Sequence, residues 1–401
     1  MSILSGKHIL LGVTGSIAAY KAADLASKLT QAGAKVDVIL TGAGEKFVTP
    51  LTYQSVTGHK AYTDKDLWGD EAHVLHVSLG KTADLLVIAP CTADTMAKLT
   101  HGIADNLLTV TALAATCPIL IAPAMDGGMF DHPATQANLK TLQTRGVLVA
   151  GPATGHLASG MSGMGRMLEP MELLGHIRMA LGKKGKLAGK QVIVTAGGTQ
   201  EAIDPVRVIT NHSSGKQGYA LAQAALDAGA EVTLITTPTA LTPPVGANVV
   251  NVKSVQDMLD ALLKENADAL IMAAAGADFR PVSVAKDKLK KRDGIPQIQL
   301  EAAPDILKTL ASQSGEKKRF KVTVGFAAES RDLLANASEK LASKNLDFIA
   351  ANDISARDAG FAVETNRITL LFANGTQEIL PLMSKSDVAE KIIEHIARLL
   401  E

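Results

Sequence analysis

Short apolar runs, each closed by a turn residue, recur along the chain. Residues 85–89 (Leu-Leu-Val-Ile-Ala) stop at Pro90, residues 119–122 (Ile-Leu-Ile-Ala) at Pro123, and residues 147–150 (Val-Leu-Val-Ala) at Gly151-Pro152. Continuous apolar runs of this length fit strands covered on both faces, as in a parallel sheet. Proline at the end of a run blocks further ladder pairing. Residues 269–273, 322–326 and 348–351 repeat the pattern in the second half. Near the end, residues 368–372 and 376–380 flank Asn374-Gly375, a pair that predicts a type I′ hairpin turn because both central residues need positive φ. Residues 384–400 read as a closing helix.

One larger pattern occurs twice. Residues 9–16 (Ile-Leu-Leu-Gly-Val-Thr-Gly-Ser) lead into a helical stretch and then to residues 32–38 (Ala-Gly-Ala-Lys-Val-Asp-Val). Residues 192–199 (Val-Ile-Val-Thr-Ala-Gly-Gly-Thr) lead, after an insertion, into another helical stretch and residues 228–234 (Ala-Gly-Ala-Glu-Val-Thr-Leu). Each copy reads strand, glycine-rich turn, helix, glycine stop, strand. That is the opening of a doubly wound α/β domain, whose first turn is where phosphate groups bind. The expected architecture is α/β with two doubly wound, Rossmann-like domains, and a C-terminal β-hairpin in the second. The expected domains are residues 1–182 and 190–401, joined by a glycine- and lysine-rich solvated linker at residues 183–189. Ligands bind beyond the carboxyl ends of strands in such sheets, so residues just after the apolar runs are the first candidates for chemistry.

Composition narrows the function classes. A chain of 401 residues, 47% hydrophobic, has material for two cores. Its 40 basic and 40 acidic residues cancel, so there is no whole-chain basic field for nucleic acid. Cys91 and Cys117 stand far apart, which argues against a disulfide framework or a cysteine-rich metal site. Residues 1–7 lack a signal-peptide pattern, and no apolar run is long enough to span a bilayer. A cytoplasmic protein acting on small molecules is expected.

Gly12-Val13-Thr14-Gly15-Ser16-Ile17 lacks the full dinucleotide spacing but suits a mononucleotide phosphate turn, with Thr14 and Ser16 supplying hydroxyls; the alternative is a plain strand–helix turn. Thr92-Ala93-Asp94-Thr95 follows a strand and reads either as a ligand contact or only as a helix cap. His76 sits between apolar residues, where a histidine is more often structural than catalytic. Residues 123–129 (Pro-Ala-Met-Asp-Gly-Gly-Met) follow a predicted strand, with core packing the alternative for Met125 and Met129. Residues 155–167 form a long loop punctuated by glycine, of the kind used as lids.

Together these segments resemble the flavin-dependent cysteine decarboxylases. The second half adds Asp204-Pro205-Val206-Arg207, then Asn211-His212-Ser213-Ser214-Gly215-Lys216-Gln217-Gly218, Ala273-Ala274-Ala275-Gly276-Ala277-Asp278-Phe279 and Lys288-Leu289-Lys290-Lys291. That set looks like phosphopantothenoylcysteine synthetase. In order and length the whole chain resembles the bifunctional CoaBC family of coenzyme A biosynthesis. The resemblance implies a flavodoxin-like first domain holding FMN through Gly15, Ser16, Ile17, Thr41, Thr92, Ala93, Asp94, Thr95 and Met125. It implies catalytic roles for His76, Asp126 and Ser159. Two positions depart from the family: Asp126 replaces an asparagine, and Ser159 replaces the cysteine that donates a proton from a glycine-rich flap. An ionised aspartate cannot donate a hydrogen bond to a substrate carboxylate. Asp126 could do so if burial and a nearby carboxylate keep it protonated.

For the second half, the resemblance implies that CTP activates the carboxylate of phosphopantothenate as an acyl-cytidylate, and that the cysteine amine then displaces CMP. Magnesium and lysines would meet the triphosphate charge; the sequence names no metal ligands. Met272, Ala273, Ala274, Asp278, Lys288, Ala303, Pro304, Asp305, Ile306, Phe326, Lys340 and Lys344 would meet the nucleotide. Asn211 and Lys288 would act catalytically, with Arg207 beside Asn211 at the substrate. Taken alone, Asn211–Gly215 could be a capped turn and Lys288–Lys291 a solvated face. The family forms trimers of the first half and dimers of the second, so a large homo-oligomer is implied. An alternative keeps the ligase and makes the first half a flavin-binding scaffold without turnover; a third gives that half a flavin prenyltransferase-like activity.

Overall fold

A computed structural model describes residues 3–68, 74–313, 319–329, 332–353 and 363–401. It divides into two units, Met1–Gly182 and Lys183–Glu401.

The first unit contains strands β1 (His8–Val13), β2 (Lys35–Leu40), β3 (Ala61–Tyr62), β4 (Leu85–Cys91), β5 (Ile119–Pro123), β6 (Leu148–Val149), β7 (Ala153–His156) and β8 (Ser162–Arg166). Its helices are α1 (Ala19–Gln31), α2 (Pro50–Thr57), α3 (Leu75–Thr82), α4 (Ala93–His101), α5 (Leu107–Ala114), α6 (Gly127–Asp131), α7 (Pro133–Thr144) and α8 (Pro170–Gly182). The main sheet is parallel, in the order β3-β2-β1-β4-β5-β6. Every residue of β1 and β4 is buried. Alternation splits β1 between two cores: Ile9, Leu11 and Val13 pack with Leu25 and Leu29 of α1, while Leu10 packs with Leu79, Met96 and Leu108 on the other face. Burying each such side chain contributes about 1.5–3 kcal/mol. The connections leave in opposite directions from β1 and β4, so the switch-point crevice opens at their carboxyl ends.

The second unit contains β9 (Gln191–Ala196), β10 (Gln200–Ala202), β11 (Val208–Thr210), β12 (Glu231–Thr236), β13 (Asn248–Asn251), β14 (Ala267–Met272), β15 (Phe279–Pro281) and β16 (Leu300–Ala302). It continues with β17 (Phe320–Glu329), β18 (Phe348–Asp353), β19 (Thr365–Asn366), β20 (Ile368–Phe372), β21 (Gln377–Ile379) and β22 (Met383–Ser384). Its helices are α9 (Lys216–Asp227), α10 (Val255–Lys264), α11 (Ile306–Gln313), α12 (Leu333–Ser343) and α13 (Lys385–Leu400). The main sheet runs β13-β12-β9-β14-β17-β18-β20-β21, with the first six strands parallel. The repeated opening therefore puts β1 and β9 at the same place in two similar sheets. Helices α9 and α13 bury Leu221, Ala225, Ile392 and Ile396 on one face, and α10 and α11 bury Met258, Leu262 and Leu310 on the other.

Three expectations change. The Asn374-Gly375 hairpin forms, but only Gly375 has positive φ (83°), so the turn is not type I′. Gly375 N donates to Phe372 O at 2.9 Å, and the Asn374 side chain accepts from Thr376 N at 3.0 Å, a turn closed by a glycine bulge. Residues 183–189 are no free tether: Leu187 is fully buried in the second unit's core, and its N–H donates to Ala228 O at 2.8 Å. The glycine-rich loop at residues 155–167 contains strand β8 and the end of β7, which pair as an antiparallel hairpin. Among the described residues no helix is long and apolar enough to cross a membrane.

Candidate active sites

In the first unit a cavity of about 580 Å³ opens beyond the strand ends, lined by Gly15, Ser16, Thr41, Thr92, Ala93, Asp94, Thr95 and Met125 among others. The turn that leads into α1 lines it through Gly15 and Ser16, and α1 carries no acid in its first turn. Gly15 is required at the turn, since a Cβ there would lie 2.5 Å from that of Ala43. Thr92 caps α4 by accepting from Thr95 N at 3.3 Å, so the capping expectation and the cavity position hold together. Thr14 supplies no free hydroxyl: it donates to Pro90 O at 2.7 Å and accepts from Thr92 N at 3.2 Å, tying the ends of β1 and β4.

Asp64, Lys98 and Asp105, which no sequence motif marks, also line this cavity. Lys98 pairs with Asp94 at 3.3 Å and Asp105 at 3.1 Å, and its hydrogen bond to Asp105 is the main cause holding its ammonium above the ordinary value. Asp64 accepts from Gly42 N at 3.1 Å and from Leu107 N at 3.0 Å, joining two walls. Four expected residues stand outside the lining: Ile17, whose side chain is exposed, His76, half-buried on α3, and Asp126 and Ser159.

Asp126 and Ser159 meet. Ser159 Oγ donates to Asp126 Oδ2 at 2.6 Å, and Asp126 Oδ1 accepts from Gly128 N at 3.0 Å as the N-cap of α6. These bonds, that from Ser159 first, hold the carboxyl below its ordinary range. The group is not deeply buried, and its donors favour the anion over the protonated form that donation to a substrate carboxylate would need. The base of the hairpin is anchored by Met125 N donating to Gly165 O at 3.0 Å. A second anchor is Glu169, which accepts from Arg166 at 2.7 Å and from the buried Lys21 at 2.8 Å.

In the second unit a cavity of about 800 Å³ lies at the ends of β14, β17 and β18. Met272, Ala273, Ala274, Asp278, Ala303, Pro304, Asp305, Ile306, Phe326, Lys340, Lys344 and Asn211 all line it. Asn211 is oriented by its amide, which donates to Gly276 O at 3.0 Å. Lys344 pairs with Asp305 at 3.2 Å. Lys288 and Arg207 are not among the residues that line it. Lys288 is exposed. Arg207 is instead tied to the fully buried side chain of Asp204 and to Leu289 O at 3.1 Å. Asp204 also accepts from Leu289 N at 3.1 Å and from Val206 N and Arg207 N, both at 2.8 Å. Burial pushes its carboxyl up, but these donors outweigh it and hold it at about 2. Asp204 thus ties the Arg207 turn to the segment carrying Lys288. Lys216, Gln217, Asn352, Asn366 and Lys385 also line the cavity. The first two lie within a motif noted in the sequence, while the others reach the cavity only through the fold.

A family model described as Flavoprotein matches residues 2–182. A second, the DNA/pantothenate metabolism flavoprotein C-terminal domain, matches residues 187–400. The coenzyme A biosynthesis bifunctional protein CoaBC of Bacillus subtilis (strain 168) is 46% identical over 402 residues, covering 99% of this chain and 98% of its own. The protein of the same description from Vibrio cholerae serotype O1 is 46% identical over 400 residues, covering 99% of each. Among solved structures, the C-terminal domain of a CoaBC protein is 40% identical, covering 54% of this chain and 98% of its own, with a TM-score of 0.46.

Proposed function

The chain belongs to the CoaBC family of bifunctional coenzyme A biosynthesis enzymes, with decarboxylase and phosphopantothenate–cysteine ligase activities, and from that premise we propose which cavity performs which reaction. The second unit's cavity takes CTP, with its Mg²⁺, and phosphopantothenate. The observation that carries this reading is the convergence of Asn211, Met272–Ala274, Asp278, Lys340 and Lys344 on one cavity. The substrate carboxylate attacks the α-phosphorus of CTP and pyrophosphate leaves, giving an acyl-cytidylate. The cysteine amine then attacks the acyl carbon, CMP leaves and the amine gives up a proton. Lysine ammoniums offset the negative charge that develops on the phosphates. Asn211, held by Gly276 O, is aimed at the acyl group.

The first unit's cavity takes FMN, whose phosphate would sit at the Gly15–Ser16 turn before α1 with the Ser16 hydroxyl as a donor. When bound, FMN supplies two-electron chemistry at the substrate's cysteinyl group. Asp126, as an anion, seats the flap rather than pairing with the substrate carboxylate, and Ser159 is the hydroxyl the flap presents beside it. Decarboxylation releases carbon dioxide and requires one proton on carbon, delivered from Ser159 or water held beside it. Two family relatives matched over nearly their whole length are described as bifunctional, which does not favour a first unit without turnover.

The same proposal includes a homo-oligomer, trimeric through the first unit and dimeric through the second. Val206, Val208, Phe279, Val282, Val284 and Leu300 are exposed on and beside the small β10–β11 and β15–β16 sheets. A second copy covering that face would enclose Arg207 and Lys288. The experiment incubates purified protein with phosphopantothenate and CTP. Pyrophosphate is expected before cysteine is added and CMP only afterwards, from yellow protein that sediments as an oligomer. No pyrophosphate under either condition would overturn the ligase assignment.

A further inference from the structure

Lys21 lies in the first turn of α1 and is only 5% exposed. Nothing local calls for a lysine there. An ammonium is disfavoured at the positive end of a helix dipole, and burying one is costly unless it is paired and hydrogen-bonded. Around it Ala19, Ala22, Leu25 and Leu29 form a buried apolar face. What Lys21 meets explains its place. Its Nζ donates to the buried Met167 O at 3.1 Å and to Glu169 Oε1 at 2.8 Å. The bond from Lys21 is the main cause holding the Glu169 carboxyl below its ordinary range.

Those acceptors follow the flap directly. Among the described residues β7 and β8 pair only with each other, so the placement of the hairpin comes from its attachments. On one side Met125 N donates to Gly165 O at 3.0 Å, and Ser159 Oγ to Asp126 Oδ2 at 2.6 Å. On the other, Lys21 holds residues 167–169, and Glu169 also accepts from Arg166 of β8 at 2.7 Å. Helix α8, which follows, needs no such tie, because its Leu173 and Ile177 pack with Leu25 and Leu29 of α1. Met167 and Leu168 enter the same core, but apolar packing is non-directional. The ammonium fixes the direction of the Met167 carbonyl, and with it the backbone leading back into β8.

Helix α1 is also the helix that follows the Gly15–Ser16 turn of the first unit's cavity. We infer that Lys21 is a positioning residue for decarboxylation, registering the flap, and with it Ser159, against the helix that begins at the flavin cavity. The inference rests on the assignment of decarboxylation to the first unit. Lys21 does not line the cavity and acts through the hairpin.

The test compares full-length wild-type protein with Lys21→Met, which keeps an apolar stem and removes the donors. Flavin absorbance is expected to stay stoichiometric, and CMP release by the second unit to stay unchanged. The kcat for carbon dioxide release from phosphopantothenoylcysteine should fall roughly tenfold, with KM changing less than about threefold, because a displaced reacting group loses rate rather than ground-state binding. Amide hydrogen exchange over residues 153–166 should quicken. Glu169→Ala should lower kcat in the same way, and Glu169→Gln, which still offers an acceptor, should retain most of it. The double variant Lys21→Met with Glu169→Ala should be no worse than Lys21→Met alone. An unchanged kcat, or unchanged exchange over the hairpin, would overturn the inference. Loss of flavin together with activity would do so too, making Lys21 a support of the cavity. If Lys21→Met does not fold, Glu169→Ala, which alters a half-exposed side chain, decides by the same two readouts. Absence of carbon dioxide release by the wild-type protein would overturn the decarboxylase assignment itself, and the positioning role with it, even where exchange over the hairpin quickens.

Discussion

Asp126 and Ser159 show how two substitutions can be read only as a pair. In the sequence each is a loss: an amide donor becomes a carboxyl, and an acidic thiol becomes a hydroxyl. In the structure the hydroxyl donates to the carboxylate at 2.6 Å, so the pair closes the flap onto the start of α6. Because the folded carboxyl is held below its ordinary value of 3.8, this contribution is present above that value and is lost as pH falls through the lowered one. A hydroxyl bonded to an anion is a weak acid, whereas a thiol titrates near about 8.5. Ser159→Cys is therefore expected to raise the decarboxylation kcat severalfold and to add a basic limb near roughly pH 8.5. An unchanged rate and profile would show that carbon receives its proton from another group. The partnership was illegible in the sequence, because 33 residues separate the two and nothing local links them.

At the scale of elements, legibility followed burial. Strands β4, β5, β14, β17 and β18 are enclosed by helices or neighbouring strands, so they read as continuous apolar runs. The β7–β8 hairpin offers no such signal: its strands are glycine-rich and partly exposed, and it is held by pairing and by its base. Gly165 is the critical position there. Its φ is +144°, and a Cβ would lie 2.3 Å from Met125 O, the carbonyl of the residue whose N–H the Gly165 backbone accepts. Gly165→Ala is expected to unseat the hairpin while sparing the flavin cavity, which Gly165 does not line. Flavin absorbance should stay stoichiometric while decarboxylation falls by roughly tenfold to a hundredfold, the cost of misplacing reacting groups by about 1 Å. Loss of flavin together with activity would instead make this strand part of the cavity's support.

Across the whole molecule, the repeated strand–turn–helix opening foretold two units with the same central strand order. It did not foretell that they use it differently. In the first unit the turn after β1 lines the cavity through Gly15 and Ser16. In the second, the equivalent turn after β9 is packed away: Gly197 has φ +86°, and a Cβ there would meet Thr237 Oγ1 at 2.1 Å. The cavity is lined instead by the loop before α9 and by the ends of β14, β17 and β18. The lysine-rich segment at residues 183–189 misled for a related reason: one apolar residue, Leu187, outweighs its polar neighbours by entering the second unit's core. With both activities in one chain, one polypeptide is expected to perform both reactions in succession. The most direct measurement supplies the full-length protein with phosphopantothenate, CTP and cysteine labelled at its carboxyl carbon, then follows CMP, labelled carbon dioxide and phosphopantetheine together. All three are expected to form, with labelled carbon dioxide and phosphopantetheine in equal amounts and neither exceeding CMP. Formation of CMP with the label retained in phosphopantothenoylcysteine would contradict it.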